Sequence, residues 1–161
     1  MNYRITGLSP ELFSHYWLLS EPELESRSIR RVRADDDHGF PCRISLEDAR
    51  EGEALLLLPF THHDVAGPYR ASGPIYVREQ ASQAASLTDA VPVAFHRRLI
   101  SVRAYDAAGW MRSADVIEGD KLDVTIRRHL LEPATAYLHL HNARPGCFAA
   151  RVDRYEGDSS S

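Results

Sequence analysis

Alternation with a period of two is clearest near the C-terminal end of the chain. Between Thr135 and His141, Ala136, Leu138 and Leu140 fall on one face of a strand, and Tyr137, His139 and His141 on the other. Asn142-Ala143-Arg144-Pro145-Gly146 has turn composition, because Pro presets φ and Gly tolerates positive φ. Cys147 to Tyr155 reads as the return strand, with Phe148, Ala150 and Val152 alternating against Cys147, Ala149, Arg151 and Asp153. If the apolar halves share a core, the opposite face carries Tyr137, His139, His141, Cys147, Arg151 and Asp153. A slip of one residue would exchange the faces.

The rest of the pattern predicts short elements. Tyr3 to Thr6 reads as a first strand. Ser9 and Pro10 open a helix whose buried stripe is Leu12, Tyr16 and Leu19, widened by Phe13 and Trp17. A helical turn follows at Ser20 to Leu24, then a strand from Ser28 to Ala34. Ser45 to Ala49 suggests a capped helical turn. Ala54 to Phe60 is a continuous apolar run, as in a central strand covered on both faces. Thr61-His62-His63-Asp64 leads into a loop that ends at Pro74, before a strand from Ile75 to Arg78.

Gln80 to Ala90 has no period and reads as a loop or a ragged helix. Leu99 to Tyr105 and Trp110 to Ile117 form a second hairpin. Leu122, Ile126 and Leu130 make the stripe of a helix over Lys121 to Leu131, with Asp120 as its N-cap. These elements add up to a single α+β domain over residues 1–156: a mainly antiparallel, bent sheet with two or three helices. Residues 157–161 read as a disordered tail.

Charge and composition narrow the function. The 161 residues carry a net charge of −4, which gives no electrostatic footprint for nucleic acid. Lys121 is the single lysine, so the basic residues are almost all arginine. No apolar run approaches the ~18 residues that cross a bilayer, and no secretory leader is evident. Two cysteines are too few for a disulfide scaffold, which points to a cytoplasmic protein with reduced thiols. Asp35-Asp36-Asp37 lacks the spaced oxygens of a calcium loop and reads as a solvated turn.

Several segments together resemble the bacterial domain-of-unknown-function family 1203. They are Gly39-Phe40-Pro41-Cys42-Arg43 with Ser45-Leu46-Glu47-Asp48-Ala49; Pro68-Tyr69-Arg70-Ala71-Ser72 with Ile75-Tyr76-Val77-Arg78-Glu79; Leu99 to Asp106; and His139-Leu140-His141-Asn142 through Pro145-Gly146-Cys147 to Arg151-Val152-Asp153. The resemblance runs from about Leu8 to Tyr155. It implies a small bacterial protein and no particular reaction, and its motifs include both cysteine positions.

Three chemistries fit the residue types. The first is a metal site: His139 and His141 project from one strand face, and Cys147 would lie across the hairpin from His141. Two His and one Cys leave an open position on zinc, with Asp153 or His38 as a further ligand. The second is thiol chemistry, with Cys147 as nucleophile, His139 or His141 as base, Asn142 or Asp153 orienting that base, and Cys42 as a resolving thiol beside Arg43. The third is a binding pocket in which Arg43, Arg70, Arg144 and Arg151 converge on a carboxylate or phosphate, with Tyr69, His139 and His141 shaping it and Ser72 in the contact loop. A solvated sheet face, or a purely structural or interaction domain, would also read this way. A small-molecule or anion-binding pocket beside the last hairpin leads, with catalysis, substrate and oligomeric state left open.

Overall fold

A computed structural model describes residues 2–157. The strands are β1 (Tyr3–Thr6), β2 (Arg30–Arg33), β3 (Ala54–His63), β4 (Ala71–Arg78), β5 (Ser86–Thr88), β6 (Leu99–Tyr105), β7 (Met111–Glu118), β8 (Tyr137–Asn142) and β9 (Phe148–Arg154). The α-helices are α1 (Glu21–Ser26) and α2 (Leu122–Leu130). One sheet has six strands in the order β5-β1-β9-β8-β6-β7, and the other has three in the order β2-β3-β4. Every pairing between these strands is antiparallel. The α+β single domain expected from the pattern is the fold observed.

The six-stranded sheet packs one face on α2. Ile100, Val102 and Ala104 of β6, Leu138 and Leu140 of β8, and Val152 of β9 meet Leu122, Ile126 and Leu130 of the helix in one core. The helical stripe is buried as its spacing requires. A second core lies on the smaller sheet, where Leu56, Leu58, Ile75 and Val77 pack against Phe13, Leu24, Ile29, Cys42 and Ile44. α1 begins with a capping box: Ser20 Oγ accepts from the Glu23 backbone N–H, and the Glu23 carboxylate accepts from that of Ser20.

Several expectations are corrected. The helix foreseen from Pro10 is instead two short 3-10 segments, Pro10–Leu12 and Ser14–Leu18. Three residues per turn do not follow a 3.6-residue stripe, so Leu12 is exposed and Phe13 is the buried anchor. Ser9 makes no capping bond there. Asp120 does not cap α2: the chain enters through a 3-10 turn at Gly119–Lys121, and the N-cap position falls on Lys121.

Ser45 to Ala49 forms bends rather than a helical turn, with Leu46 at a φ of 58°. Residues expected in the loop before Pro74 belong to β4, and part of the stretch from Gln80 to Ala90 is the edge strand β5. Of the foreseen tail, residues 158–161 lie outside the described residues.

The hairpin register matters most. Leu138 pairs with Val152, and Leu140 with Ala150, as the alternation foresees. The register then shifts, so that His141 pairs with Phe148. One extra residue, Ala149, is a β-bulge. It sends Ala149 into the core and turns Phe148 onto the imidazole face, the reverse of strict alternation.

Candidate metal centre

The face of β8 that carries Tyr137, His139 and His141 is not a solvated surface. His139 and His141 are 2% and 1% exposed. The C-terminal end of β3 covers them. His62 lies with ring centroids 6.1 Å from His139 and 5.0 Å from His141, and His63 lies 5.0 Å from His139. Neighbouring residues on a regular strand face opposite ways, yet both of these rings reach His139. The pairing of β3 with β4 shifts register between Phe60 and His63, and that irregularity turns the two imidazoles to one side. Phe148, placed by its own bulge, stacks on His62 at 5.3 Å and 5°.

His62, His139 and His141 each offer a ring nitrogen, and these nitrogens lie within 4.8 Å of one another. Nitrogens around a tetrahedral zinc sit roughly 3.4 Å apart, given Zn–N bonds of about 2.0–2.1 Å. The rings would have to move inward from the observed spacing to close on an ion. Each imidazole also has one buried nitrogen without a hydrogen-bond partner: Nδ1 of His62, Nδ1 of His139 and Nε2 of His141. A buried polar atom left unpaired costs about 1–3 kcal/mol, and each of the three imidazoles carries one.

The protonation states suit that role. Burial is the main reason His139 titrates down at about 2, with His63, His141, His62 and Arg151 adding repulsion. Burial likewise holds His62 and His141 at about 4. All three are neutral near pH 7, the form that binds metal. His141 Nδ1 lies 3.0 Å from the Gly146 carbonyl oxygen, so it carries the proton and leaves Nε2 as the lone pair.

His63 is otherwise engaged. Its Nδ1 donates to the Tyr69 carbonyl at 2.8 Å, which leaves Nε2 to accept from the Tyr137 hydroxyl at 2.6 Å. Tyr105 stacks on Tyr137 and packs on His63 at 4.1 Å, so an aromatic wall closes that end. Arg103 and Arg151 flank His139 in register on the two neighbouring strands.

Other residues singled out by the sequence lie elsewhere. Cys147 does not oppose His141. The bulge moves it beside Asn142, whose N–H donates to the Cys147 carbonyl at 2.9 Å, and Cys147 is not part of the imidazole cluster. Asp153 pairs with Arg151, and the Arg151 guanidinium lies over the Tyr137 ring. His38 is exposed and outside the cluster.

Cys42 is buried in the second core, with its sulfur accepting from the Ile44 and Arg78 N–H groups, and both cysteines are free. Arg70 pairs with Asp64, Tyr69 packs on Trp110, and Ser72 is exposed on β4. Of the four arginines expected to converge, Arg43 and Arg144 line one cavity together with Arg97 and Arg98, and Arg70 and Arg151 are not in its lining.

The residues that sequence reasoning missed are His62 and His63. Their signal was the apolar run itself: a strand continued through Thr61 carries both imidazoles to its end.

The model of the protein family of unknown function DUF1203 matches residues 39–154. The chain is a DUF1203 protein. No curated protein and no solved structure matches it. The region that DUF1203 spans runs from before β3 through β9, so it contains all three imidazoles as well as Arg43, Asn142 and Cys147. Among its described residues, no helix is long and apolar enough to cross a membrane.

Proposed function

We propose that this DUF1203 protein binds a divalent metal ion of the zinc class at His62, His139 and His141, and that a small ligand occupies the ion's remaining coordination position. The supporting observation is the trio of neutral imidazoles within ligating distance, each with a buried nitrogen that nothing else satisfies. Three protein ligands with one open position is the pattern of catalytic rather than structural zinc sites. An ion so held would supply Lewis acidity.

The chain's own residues do the positioning. Gly146 fixes the His141 tautomer, Phe148 packs against His62, and the Tyr137–His63 pair buttresses His139. Arg103 beside the cluster favours an anionic small ligand. His62, only partly buried, is the member of the trio that solvent reaches.

Calorimetric titration of zinc into chelator-treated protein tests this reading. One site per chain is expected, with affinity lowered at least 100-fold in a His62→Gln variant. Absence of zinc uptake by the wild-type protein would refute it.

A further inference from the structure

A buried cation without a carboxylate lies beside the β8–β9 turn. Arg43 is 2% exposed, and its Nε donates to the Phe148 carbonyl at 2.7 Å, its Nη1 to the Pro41 carbonyl at 2.5 Å and its Nη2 to Cys147 Sγ at 2.8 Å. Among the described residues no Asp or Glu pairs with it. Buried charges are normally paired, because desolvation of a lone ion is costly. Burial pushes the Arg43 pKa down, and the Cys147 and Cys42 sulfurs, rather than a carboxylate, are what partly offset it. These three bonds leave further guanidinium N–H groups to donate.

Arg43 lines a cavity of about 590 Å³, together with Asn142, Cys147, Arg97, Arg98 and Arg144. The full lining holds four arginines and no acidic residue. Arg97 and Arg98 are held from outside by Asp48, whereas Arg144 has no acidic partner among the described residues. A second observation comes from Asn142, which is 4% exposed and whose Oδ1 has no hydrogen-bond partner. An acceptor in that position calls for a donor on the ligand, while the arginines call for negative charge.

We propose that this cavity is an anion site, separate from the imidazole cluster, that binds a small oxyanion carrying its own hydroxyl group. The charged oxygens sit against Arg43 and Arg144, and the hydroxyl donates to Asn142 Oδ1. Hydrogen phosphate and hydroxy-carboxylates share this chemistry. Cys147 Sγ, in the same wall and partly exposed, is a built-in reporter of occupancy.

The experiment measures thermal stability and the rate of Cys147 alkylation by iodoacetamide, with phosphate, lactate, sulfate or chloride at equal ionic strength. Cys42, being buried, should react far more slowly. Phosphate or lactate should raise the melting temperature and slow Cys147 labelling at least 5-fold, and which of the two acts more strongly identifies the ligand's source. Sulfate, with no hydroxyl at neutral pH, should act more weakly and chloride not at all.

Arg144 is exposed, so Arg144→Ala folds and should weaken the effect at least 5-fold. His62→Gln should leave it intact, which separates this site from an anion held at a metal ion. Equal response to all four anions would overturn the proposal, as would an effect that disappears in His62→Gln and persists in Arg144→Ala.

Discussion

His141 Nδ1 lies 3.0 Å from the carbonyl oxygen of Gly146, so the turn that joins β8 to β9 also sets the tautomer of a proposed metal ligand. Gly146 holds a φ of +83°, with open space where a Cβ would stand. A side chain there meets backbone strain rather than a clash. Gly146→Ala is expected to cost about 1 kcal/mol of stability. By disturbing the carbonyl that orients His141, it should also weaken zinc binding by about 10-fold. Urea denaturation and zinc titration of the same variant check both effects.

The Tyr137 hydroxyl is the partner of His63 Nε2 in a buried pair 2.6 Å apart. Tyr137→Phe keeps the ring that stacks on Tyr105 and removes only the donor. The stranded imidazole acceptor should cost about 1–3 kcal/mol. Zinc stoichiometry should not change, because His63 is outside the ligand set. Loss of metal in Tyr137→Phe would instead place His63 among the ligands.

Acid should destabilise the metal-free protein. His139 is held at about 2, and His62 and His141 at about 4, against 6.5 for a free imidazole. Below pH 6.5 the unfolded chain therefore binds more protons than the folded one, and stability falls with pH. Their contribution is complete above pH 6.5 and is lost as pH falls toward the folded values. Each histidine adds a slope of up to ~1.4 kcal/mol per pH unit. Urea midpoints in chelator at pH 7.5, 6.5 and 5.5 should drop mainly over the last interval. A flat profile would mean that the imidazoles accept protons without unfolding.

Gly119 is required by space rather than by its backbone angle. A Cβ built there would lie 1.7 Å from the Phe95 carbonyl oxygen, where the chain turns into α2. Gly119→Ala should destabilise by more than about 3 kcal/mol, among the larger effects of a single substitution. Gly52→Ala, with open space around it but a φ of +91°, should cost about 1 kcal/mol. Thermal denaturation of the two variants gives the comparison.

Much of this architecture was legible from side-chain period. Leu122, Ile126 and Leu130 are buried as a stripe, and Leu138 and Leu140 face the core while His139 and His141 face away. The centre itself was half legible. Two of its histidines stood out because they share one strand face, but the third comes from β3, far away in the chain. His62 read as part of a loop because Leu55 to Phe60 has no alternation to extend.

Cys147 was drawn toward His141 by an unbroken register. The bulge at Ala149 broke it, and Ala149 is compatible with either face. Arg43 reads from the sequence as a pocket arginine converging with Arg70 and Arg151, but its burial was not legible, since it depends on Phe148 and Cys147, more than a hundred residues away.

The most direct test of the metal centre is X-ray absorption at the zinc edge, on protein loaded with one equivalent of zinc. Three histidines and one light ligand predict a first shell of nitrogen and oxygen only, at about 2.0–2.1 Å. His62→Gln should lower the imidazole scattering. A sulfur shell at about 2.3 Å would contradict the account, since it would put a cysteine on the ion. Failure of the protein to retain zinc would contradict it outright.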